Sequence, residues 1–337
     1  MCSRPSPILD LVSSRIFVRT AFLAFFAAAC VQLVMFMRWT EGEGAYVPRP
    51  EAVAGLLPVG HFTSFFAWVR GGGWDALLPA GLVIIIAAVV VSMLFKRGFC
   101  GWICPVGTVW ELAALLGRKV LGRTLRLPRW IDRAARGVRY ALAAVILAAL
   151  MLVPVAEALS FRELPYMWTA DMKILIGFTS PPFILAALAA FVLSMMFSPV
   201  WCRFLCPLGA WYSVLGMASP CAVHRSEADC IACHRCTDAC HALVDVERAP
   251  GRVWAPECDG CMDCVRACPA PGALEARVLG RWRMPVWLWP VLVVGTWLVI
   301  FGVAKVGGDW DTTIPPTVFK QAVESGVLGQ PSMPQQP

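Results

Sequence analysis

The sequence predicts an all-α polytopic membrane bundle into which a small, cysteine-rich α+β domain is inserted. The chain has 337 residues, of which 58% are hydrophobic and 15% are charged, and its mean hydropathy is +0.67. A soluble domain is nearer half apolar and a quarter charged. Five apolar runs are long enough to cross a bilayer, and 11 of the 15 cysteines lie between the fourth and fifth runs. Composition therefore indicates an integral membrane protein with one polar insertion.

The polar insertion holds two cysteine runs that share the spacing C-x2-C-x2-C-x3-C. This spacing is typical of bacterial two-cluster ferredoxins, in which the fourth cysteine of each run ligates the other cluster. We therefore expect two [4Fe-4S] clusters. The first would be held by Cys230, Cys233, Cys236 and Cys268, and the second by Cys258, Cys261, Cys264 and Cys240.

Zinc and haem are the competing interpretations of these cysteines. Structural zinc sites use two separated C-x2-C pairs, which a doubled run of four fits less well. The segment from Cys230 to His234 matches the C-x-x-C-H haem attachment pattern, but it is nested within a ferredoxin run. One departure from the ferredoxin pattern is that His241 follows Cys240, whereas Pro269 follows Cys268.

The apolar runs and the insertion together predict the order of the domains. The five spans are expected at residues 20–37, 76–95, 140–156, 181–200 and 285–304. They give a membrane domain over 1–218, a ferredoxin-like domain over 219–280, a fifth span, and a loosely ordered outer tail over 305–337. The basic segment from Arg118 to Arg139 is expected to be a cytoplasmic loop against anionic lipid.

A short motif, C-x3-C-P-[VL]-G, occurs after the second and after the fourth predicted span, at Cys100–Gly107 and Cys202–Gly209. The unit of two spans followed by this motif predicts a parallel internal repeat about an axis along the membrane normal. If each motif continues its helix, its two cysteines share a face. The four thiols of Cys100, Cys104, Cys202 and Cys206 could then hold a further metal centre, either an iron–sulfur cluster or a single ion. The alternatives are buried small cysteines and redox-active thiol pairs.

The distribution of Lys and Arg predicts the orientation of the chain. With the amino terminus in the cytoplasm, inner segments hold 22 of the 29 basic residues. The ferredoxin-like domain is then cytoplasmic, where thiols stay reduced, and the carboxyl tail lies outside.

Two C-x3-C-P motifs followed by a two-cluster ferredoxin segment resemble the NapH/NosR-type membrane ferredoxins over roughly residues 16–275. These proteins are quinol dehydrogenase components of the bacterial inner membrane. The resemblance implies quinol oxidation in the bilayer, transfer through iron–sulfur centres, and a redox partner protein. Because the basic segment from Arg118 to Arg139 lies between two predicted spans, we expect no nucleic-acid partner. This chain departs from the family by its fifth span, its tail and Cys221, and it lacks the periplasmic flavin-binding domain of longer members.

The sequence leaves the direction of electron flow and the quinol site open. His61, Glu157, Glu163 and Asp171 lie in outer connections and are interpreted as solvated loop residues rather than proton acceptors. The alternative function is an assembly or maintenance factor that supplies electrons for maturation of a membrane metalloenzyme.

Overall fold

The computed structural model is mostly helical and contains one small sheet. It describes residues 15–56, 58–122, 125, 127–197 and 199–329. The helices of the first half are α1 (Arg15–Thr40), α2 (Pro58–Val69), α3 (Pro79–Leu94), α4 (Pro105–Leu121), α5 (Arg129–Leu152), α6 (Val155–Glu163) and α7 (Pro165–Trp168). Those of the second half are α8 (Ala170–Gly177), α9 (Pro181–Phe197), α10 (Pro207–Met217), α11 (Arg235–Ala239), α12 (Asp263–Ala267), α13 (Leu288–Gly307) and α14 (Pro316–Glu324).

The sheet flanks the cysteine-rich insertion. Its strands are β1 (Cys221–Arg225), β2 (Leu274–Val278) and β3 (Trp282–Met284), antiparallel in the order β1-β2-β3. Cys221 pairs with Val278 across the first ladder. The two cysteine runs, with α11 and α12, lie between β1 and β2 in the chain, so the insertion has the α+β composition that its spacing predicts.

Three of the helices, α1, α5 and α13, are long and apolar enough to cross a membrane. Helices α8 and α9 make a fourth candidate if they are taken together as one span, bent by 71°. Helix α3 is apolar but has 16 residues, or about 24 Å, against a hydrocarbon core of about 30 Å. The described residues therefore contain three or four candidate spans, where the sequence predicted five.

The basic segment from Arg118 to Arg139 is helical over most of its length, and the prediction of a long loop is wrong. Helix α4 continues to Leu121 and α5 begins at Arg129, directly after Pro128. Arginine and alanine are good helix formers, and Asp132 pairs with Arg136 one turn later at 3.1 Å. The basic residues of this segment that the structure describes thus lie on helices, and Arg139 is buried.

The outer tail is also more ordered than expected over its described residues. Helix α14 buries Phe319, which is 1% exposed, against Phe36 and Trp168. An aromatic side chain of this size dominates a local core when it is buried. The last eight residues of the predicted tail, 330–337, lie outside the described residues.

The chain divides into two compact units. The first comprises residues 88–145 and 188–298 with the chain up to Leu23. One hydrophobic core of this unit contains cysteines of the insertion together with residues next to the first C-x3-C-P motif, such as Phe95 and Trp102. The indole of Trp102 donates to the Gly260 carbonyl at 3.0 Å. The ferredoxin-like segment and these helix ends therefore share one core.

The second unit comprises residues 24–87 and 146–187 with the chain from residue 299. Its core is aromatic and aliphatic, and includes Leu33, Val53 and Met172. A buried ion-pair group lies in it: Arg49 contacts Glu51 at 2.9 Å and Asp171 at 2.7 Å, and its guanidinium stacks over Phe319. The Arg49 charge is thus compensated within the unit.

Candidate metal centres

The two cysteine runs of the insertion fold with the same backbone. In each run, the residues before and after the second cysteine have positive φ: Ala232 (52°) and His234 (63°), then Gly260 (65°) and Met262 (65°). Each run then enters a five-residue helix that ends at its fourth cysteine. Left-handed residues alternating with ordinary ones turn successive N–H groups toward an anion, as a thiolate-ligated cluster requires.

The first predicted set is brought together around one pocket. Cys230, Cys233, Cys236 and Cys268 all line it, with Arg225 and Glu247 among the other lining residues. Cys268 comes from the second run, so the pocket combines three neighbouring cysteines with one that is distant in sequence. Cys233 is exposed, which places this pocket at the protein surface.

The second predicted set is buried. Cys264 interacts electrostatically with Cys258 and Cys240, and Cys261 interacts with Cys264. Burial raises the pKa of these thiols, to about 12 at Cys240. Because bound metal lowers thiol pKa values, these residues suit a metal site. Cys264 also interacts with Cys236, so the two sets are neighbours.

Both C-x3-C-P motifs have the same local structure. Each begins in a single π-helical turn, Phe99–Ile103 or Trp201–Leu205, that follows an apolar helix. The second cysteine then caps the next helix, with its Sγ accepting from the N–H of Gly107 (3.4 Å) or Gly209 (3.3 Å). Each motif therefore departs from the expected continuous α-turn, and the proline begins a new helix, where its missing N–H costs nothing.

The structure brings the four thiols of these two motifs together. Cys202 interacts electrostatically with Cys100, Cys104 and Cys206, and Cys104 interacts with Cys100 and Cys206. Burial, together with the neighbouring sulfurs, raises the pKa of Cys104 to about 12. The amino termini of α4 and α10 both point at this group, and a helix amino terminus favours negative charge. The donor set thus fits an anionic, thiolate-ligated centre.

The spacing of the four sulfurs bears on the kind of centre. Within the described residues, which include all four, no three of these sulfurs lie within 4.8 Å of one another. Four thiolates around one tetrahedral ion at about 2.3 Å would be about 3.8 Å apart. A single tetrahedral ion would therefore require the four sulfurs to lie closer together than they do here.

A buried network of charges that the sequence did not reveal lies beside the C-x3-C-P cysteines and the buried ferredoxin set. The Arg15 guanidinium binds Glu111 through two hydrogen bonds of 2.7 and 2.6 Å, and Arg19 also pairs with Glu111. Burial alone would raise the pKa of Glu111, but His241 and these arginines lower it to about 2. The network therefore holds an ionised carboxylate next to the first motif, whose Gly101 carbonyl accepts from Arg15 at 3.0 Å.

His241, which stands where the ferredoxin pattern has proline, belongs to this network. Its Nε2 lies 2.8 Å from Asp259, and Arg15 also binds Asp263 at 2.8 Å. Despite burial, His241 and the nearby arginines hold the pKa of Asp259 well below its usual range. The one signal in the sequence was His241 itself, since long-range ion pairs have no local pattern.

The structure divides the four candidate proton acceptors of the outer connections. Glu157 and Glu163 are exposed, as expected, but His61 and Asp171 are 5% and 3% exposed. The interpretation as solvated loop residues is therefore wrong for these two. Burial lowers the pKa of His61 to about 4, and a pocket beside it is lined by Ser64, Asp75 and Arg162.

Comparison with known proteins supports iron–sulfur chemistry both at the C-x3-C-P motifs and in the ferredoxin-like segment. A family model described as a 4Fe-4S binding domain matches residues 77–124 and 179–219, which contain the two C-x3-C-P motifs. A model described as a 4Fe-4S dicluster domain matches residues 229–274. No solved structure matches the chain.

Curated relatives match between about half and most of the chain. The Escherichia coli (strain K12) electron transport protein YccM is 30% identical over 84% of this chain and 82% of its own length. The ferredoxin-type protein NapH of the same organism is 31% identical over 57% of this chain and 67% of its own length. The regulatory protein NosR of Pseudomonas aeruginosa is 30% identical over 62% of this chain, which spans 29% of NosR.

The extent of the match to YccM, and the 4Fe-4S models over both regions, agree with the resemblance carried by the cysteine spacing. The chain belongs to the NapH/NosR-type family of ferredoxin-type membrane proteins, and it is an iron–sulfur electron-transfer protein.

Proposed function

We propose that the chain carries three iron–sulfur centres and passes electrons between the quinol pool and a redox partner protein. The observation that carries this proposal is the meeting of Cys100, Cys104, Cys202 and Cys206, which come from two motifs far apart in sequence. A further centre next to two ferredoxin clusters makes a relay of three centres. A protein that acted only as a soluble ferredoxin would not need the additional centre. Bound iron–sulfur clusters would accept and release single electrons.

The order of the relay follows from which cysteine sets are neighbours. Arg97 interacts electrostatically with Cys100 and Cys202 of the C-x3-C-P motifs. It also interacts with Asp259, which is next to Cys258 of the buried ferredoxin set. The buried set that contains Cys264 adjoins the exposed set that contains Cys236. The proposed order is thus the C-x3-C-P centre, then the buried cluster, then the exposed cluster, with both ferredoxin clusters taken as [4Fe-4S] and ligated in the crossed manner.

The partner protein is proposed to dock at the exposed cluster. Cys233 is exposed there, Ile231 is 65% exposed, and Glu227 and Asp229 add negative charge. Long-range attraction then favours a partner with a basic face.

We also propose five spans in a bacterial inner membrane, with the amino terminus and the clusters on the cytoplasmic side. The near-identical local structure of the two C-x3-C-P motifs supports the internal repeat behind this topology. The short helices α3 and α9 each lead into a π-helical turn, and these turns extend the apolar segments.

The test is reduction of the clusters by quinol. Full-length protein, prepared anaerobically in lipid nanodiscs, should show bleaching of its iron–sulfur absorption on addition of a short-chain quinol. The double variant Cys104→Ser/Cys206→Ser should lose about four irons and should remain reducible by dithionite but not by quinol. Cys221→Ser is the matched control, because Cys221 is buried in β1 and belongs to none of the three sets.

The outcomes distinguish the two candidate functions and test the additional centre. Quinol reduction of the wild type and the control, but not of the double variant, supports the relay. Wild-type clusters that dithionite reduces and quinol does not would refute the quinol role and favour the assembly or maintenance function. Equal iron content in all three proteins would refute the additional centre.

A further inference from the structure

Two consecutive buried cations, Lys96 and Arg97, lie directly before the first C-x3-C-P motif. Lys96 is 2% exposed and Arg97 is 6% exposed. Lys96 also has a φ of 60°, a left-handed conformation that is unfavourable for a residue with a side chain. Strained residues of this kind persist where the surrounding structure fixes them, and they cluster at functional sites.

Arg97 has no carboxylate within ion-pair distance among the described residues. Its Nη1 reaches the Glu257 carbonyl at 3.5 Å, and its Nε is buried without a hydrogen-bond partner. Its other charged neighbours are the thiols of Cys100 and Cys202 and the carboxylate of Asp259, and its Nη2 packs onto Gly209 of the second motif. Asp259 also pairs with His241 and Arg15. A buried guanidinium needs a counter-charge, and the four-thiol centre is placed to supply the charge that the shared Asp259 does not.

Lys96 faces the other cysteine set. Its Nζ donates to the Val253 carbonyl at 3.1 Å and lies 5.7 Å from the Trp254 ring centroid, and its backbone N–H is fixed by Ser219 at 3.0 Å. Among the described groups, the negative charge that acts on it is the thiolate of Cys258. Adjacent residues thus present their charges to two different predicted centres.

Reduction adds one electron to a cluster and neither forms nor breaks a bond. The added negative charge is stabilised by a nearby cation, more strongly in a buried site than in water. Net charge and hydrogen bonds around a cluster are among the factors that set its potential. A buried cation therefore raises the reduction potential of the centre that it faces.

We propose that Lys96 and Arg97 are counter-charges that set the reduction potentials of two neighbouring iron–sulfur centres. Arg97 acts on the centre at the C-x3-C-P motifs, and Lys96 acts on the centre that contains Cys258. This inference rests on the additional centre of the proposed function, and it concerns how the two centres are matched in energy so that electrons pass between them.

The experiment is a redox titration of full-length protein followed by electron paramagnetic resonance, with dithionite and mediators in place of quinol. At the wild-type midpoint of the C-x3-C-P centre, Arg97→Gln should raise the ratio of oxidised to reduced centre at least tenfold, which corresponds to about 59 mV for a one-electron couple. Arg97→Lys should keep most of the wild-type potential. Lys96→Gln should produce the corresponding shift in the cluster that contains Cys258.

Arg248→Gln is the charge-matched control, because its side chain is 67% exposed in the same unit. It should shift neither potential. If Arg97→Gln loses the centre altogether while Arg97→Lys retains it, the requirement for a positive charge is still supported. Loss of the centre in both Arg97 variants, or unchanged potentials with full iron content, would overturn the proposal.

The wild-type titration separates this proposal from the function on which it rests. Signals from two clusters alone would refute the additional centre before any variant is compared, and Arg97 would then have no such role. Three signals with potentials that do not respond to Lys96 or Arg97 would leave the centres in place and refute the counter-charges. Failure of quinol to reduce the protein affects neither result.

Discussion

At the scale of single residues, each predicted cluster ligand sits where backbone geometry and neighbouring charge suit a thiolate. The fourth cysteine of each ferredoxin run ends a short helix and lies with the cysteines of the other run. The spacing of the runs predicted this exchange, because three closely spaced cysteines can cover only one side of a cluster.

Replacing Cys268 with Ser should damage the cluster of Cys230, Cys233 and Cys236, although Cys264 is nearer in sequence. The reason is that Cys268 lines the same pocket as the first three cysteines. Mössbauer and electron paramagnetic resonance spectra of the purified variant would show which cluster is altered. Selective loss of the buried cluster would show that the ligation is not crossed.

The cysteines could be predicted because their spacing is local in sequence, whereas their charged neighbours could not. Arg15 and Glu111 are far apart in the chain, and neither lies in a motif. Their pairing depends on how α1 and α4 pack against the insertion. His241 was visible only as a deviation from the ferredoxin pattern, and its contact with Asp259 explains that deviation.

His61 should make the protein less stable in mild acid. Its folded pKa of about 4 lies below the value of about 6.5 in the unfolded chain. Between these values the unfolded chain binds a proton that the folded chain does not, so stability falls as pH decreases below about 6.5. Between pH 7.5 and 5.5 we expect a loss of about 1 kcal/mol from this residue.

Thermal unfolding in detergent at these two pH values provides the measurement. His61→Asn should reduce the difference between them, while Glu163→Gln, at an exposed position of the same unit, should not. An unchanged pH dependence in His61→Asn would show that folding does not lower the pKa of His61.

At the scale of helices, a close backbone contact positions the two C-x3-C-P motifs. Gly117 lies on α4, which follows the first motif, and it packs against Met195 on α9, which leads to the second. A Cβ at position 117 would lie 1.9 Å from the Met195 carbonyl oxygen. Since the contact is to backbone, no side chain can move aside to make room.

Gly117→Ala should therefore separate α4 from α9 and destabilise the protein by about 1–3 kcal/mol. It should also lower the iron content of the C-x3-C-P centre, because its cysteines come from both sides of this contact. Gly137→Ala on α5 is the control, since nothing lies within 4 Å of its Cβ position, and alanine favours a helix there by about 1 kcal/mol. Equal unfolding temperatures for the two variants would argue against the contact.

The apolar runs predicted where helices occur. They did not predict the full length of a helix that polar residues continue. The sequence predicted that the third span begins at Tyr140, whereas α5 begins at Arg129. Arg139 is fully buried there, with its guanidinium over the Tyr140 ring. The basic segment from Arg118 to Arg139 was interpreted as a loop because its ion-pair partners are distant in sequence. An example is the pair between Arg136 and Glu257 at 2.7 Å.

At the scale of the whole molecule, some of the positive charge that indicates orientation also serves the cysteine sets. Among the basic residues assigned to inner segments whose side chains the structure describes, five are buried, namely Arg15, Arg19, Lys96, Arg97 and Arg139. Buried cations beside thiolates have an electrostatic reason that is independent of the membrane. Without these five, 17 basic residues remain in the inner segments against 7 in the outer ones, so the bias still predicts the amino terminus inside.

Topology reporters would test this orientation directly. Alkaline phosphatase, which is active only outside the cytoplasm, should be active when fused after Gly329 and inactive when inserted after Arg248 or just before Arg129. The position after Gly329 retains α14, whose Phe319 is buried, so the second unit is left intact. A reporter that is active in the cytoplasm should give the opposite pattern at the same three sites. Phosphatase activity at Arg248 would instead place the cysteine runs outside, where haem attachment at the Cys230–His234 pattern becomes chemically possible and the cluster assignment would have to compete with it.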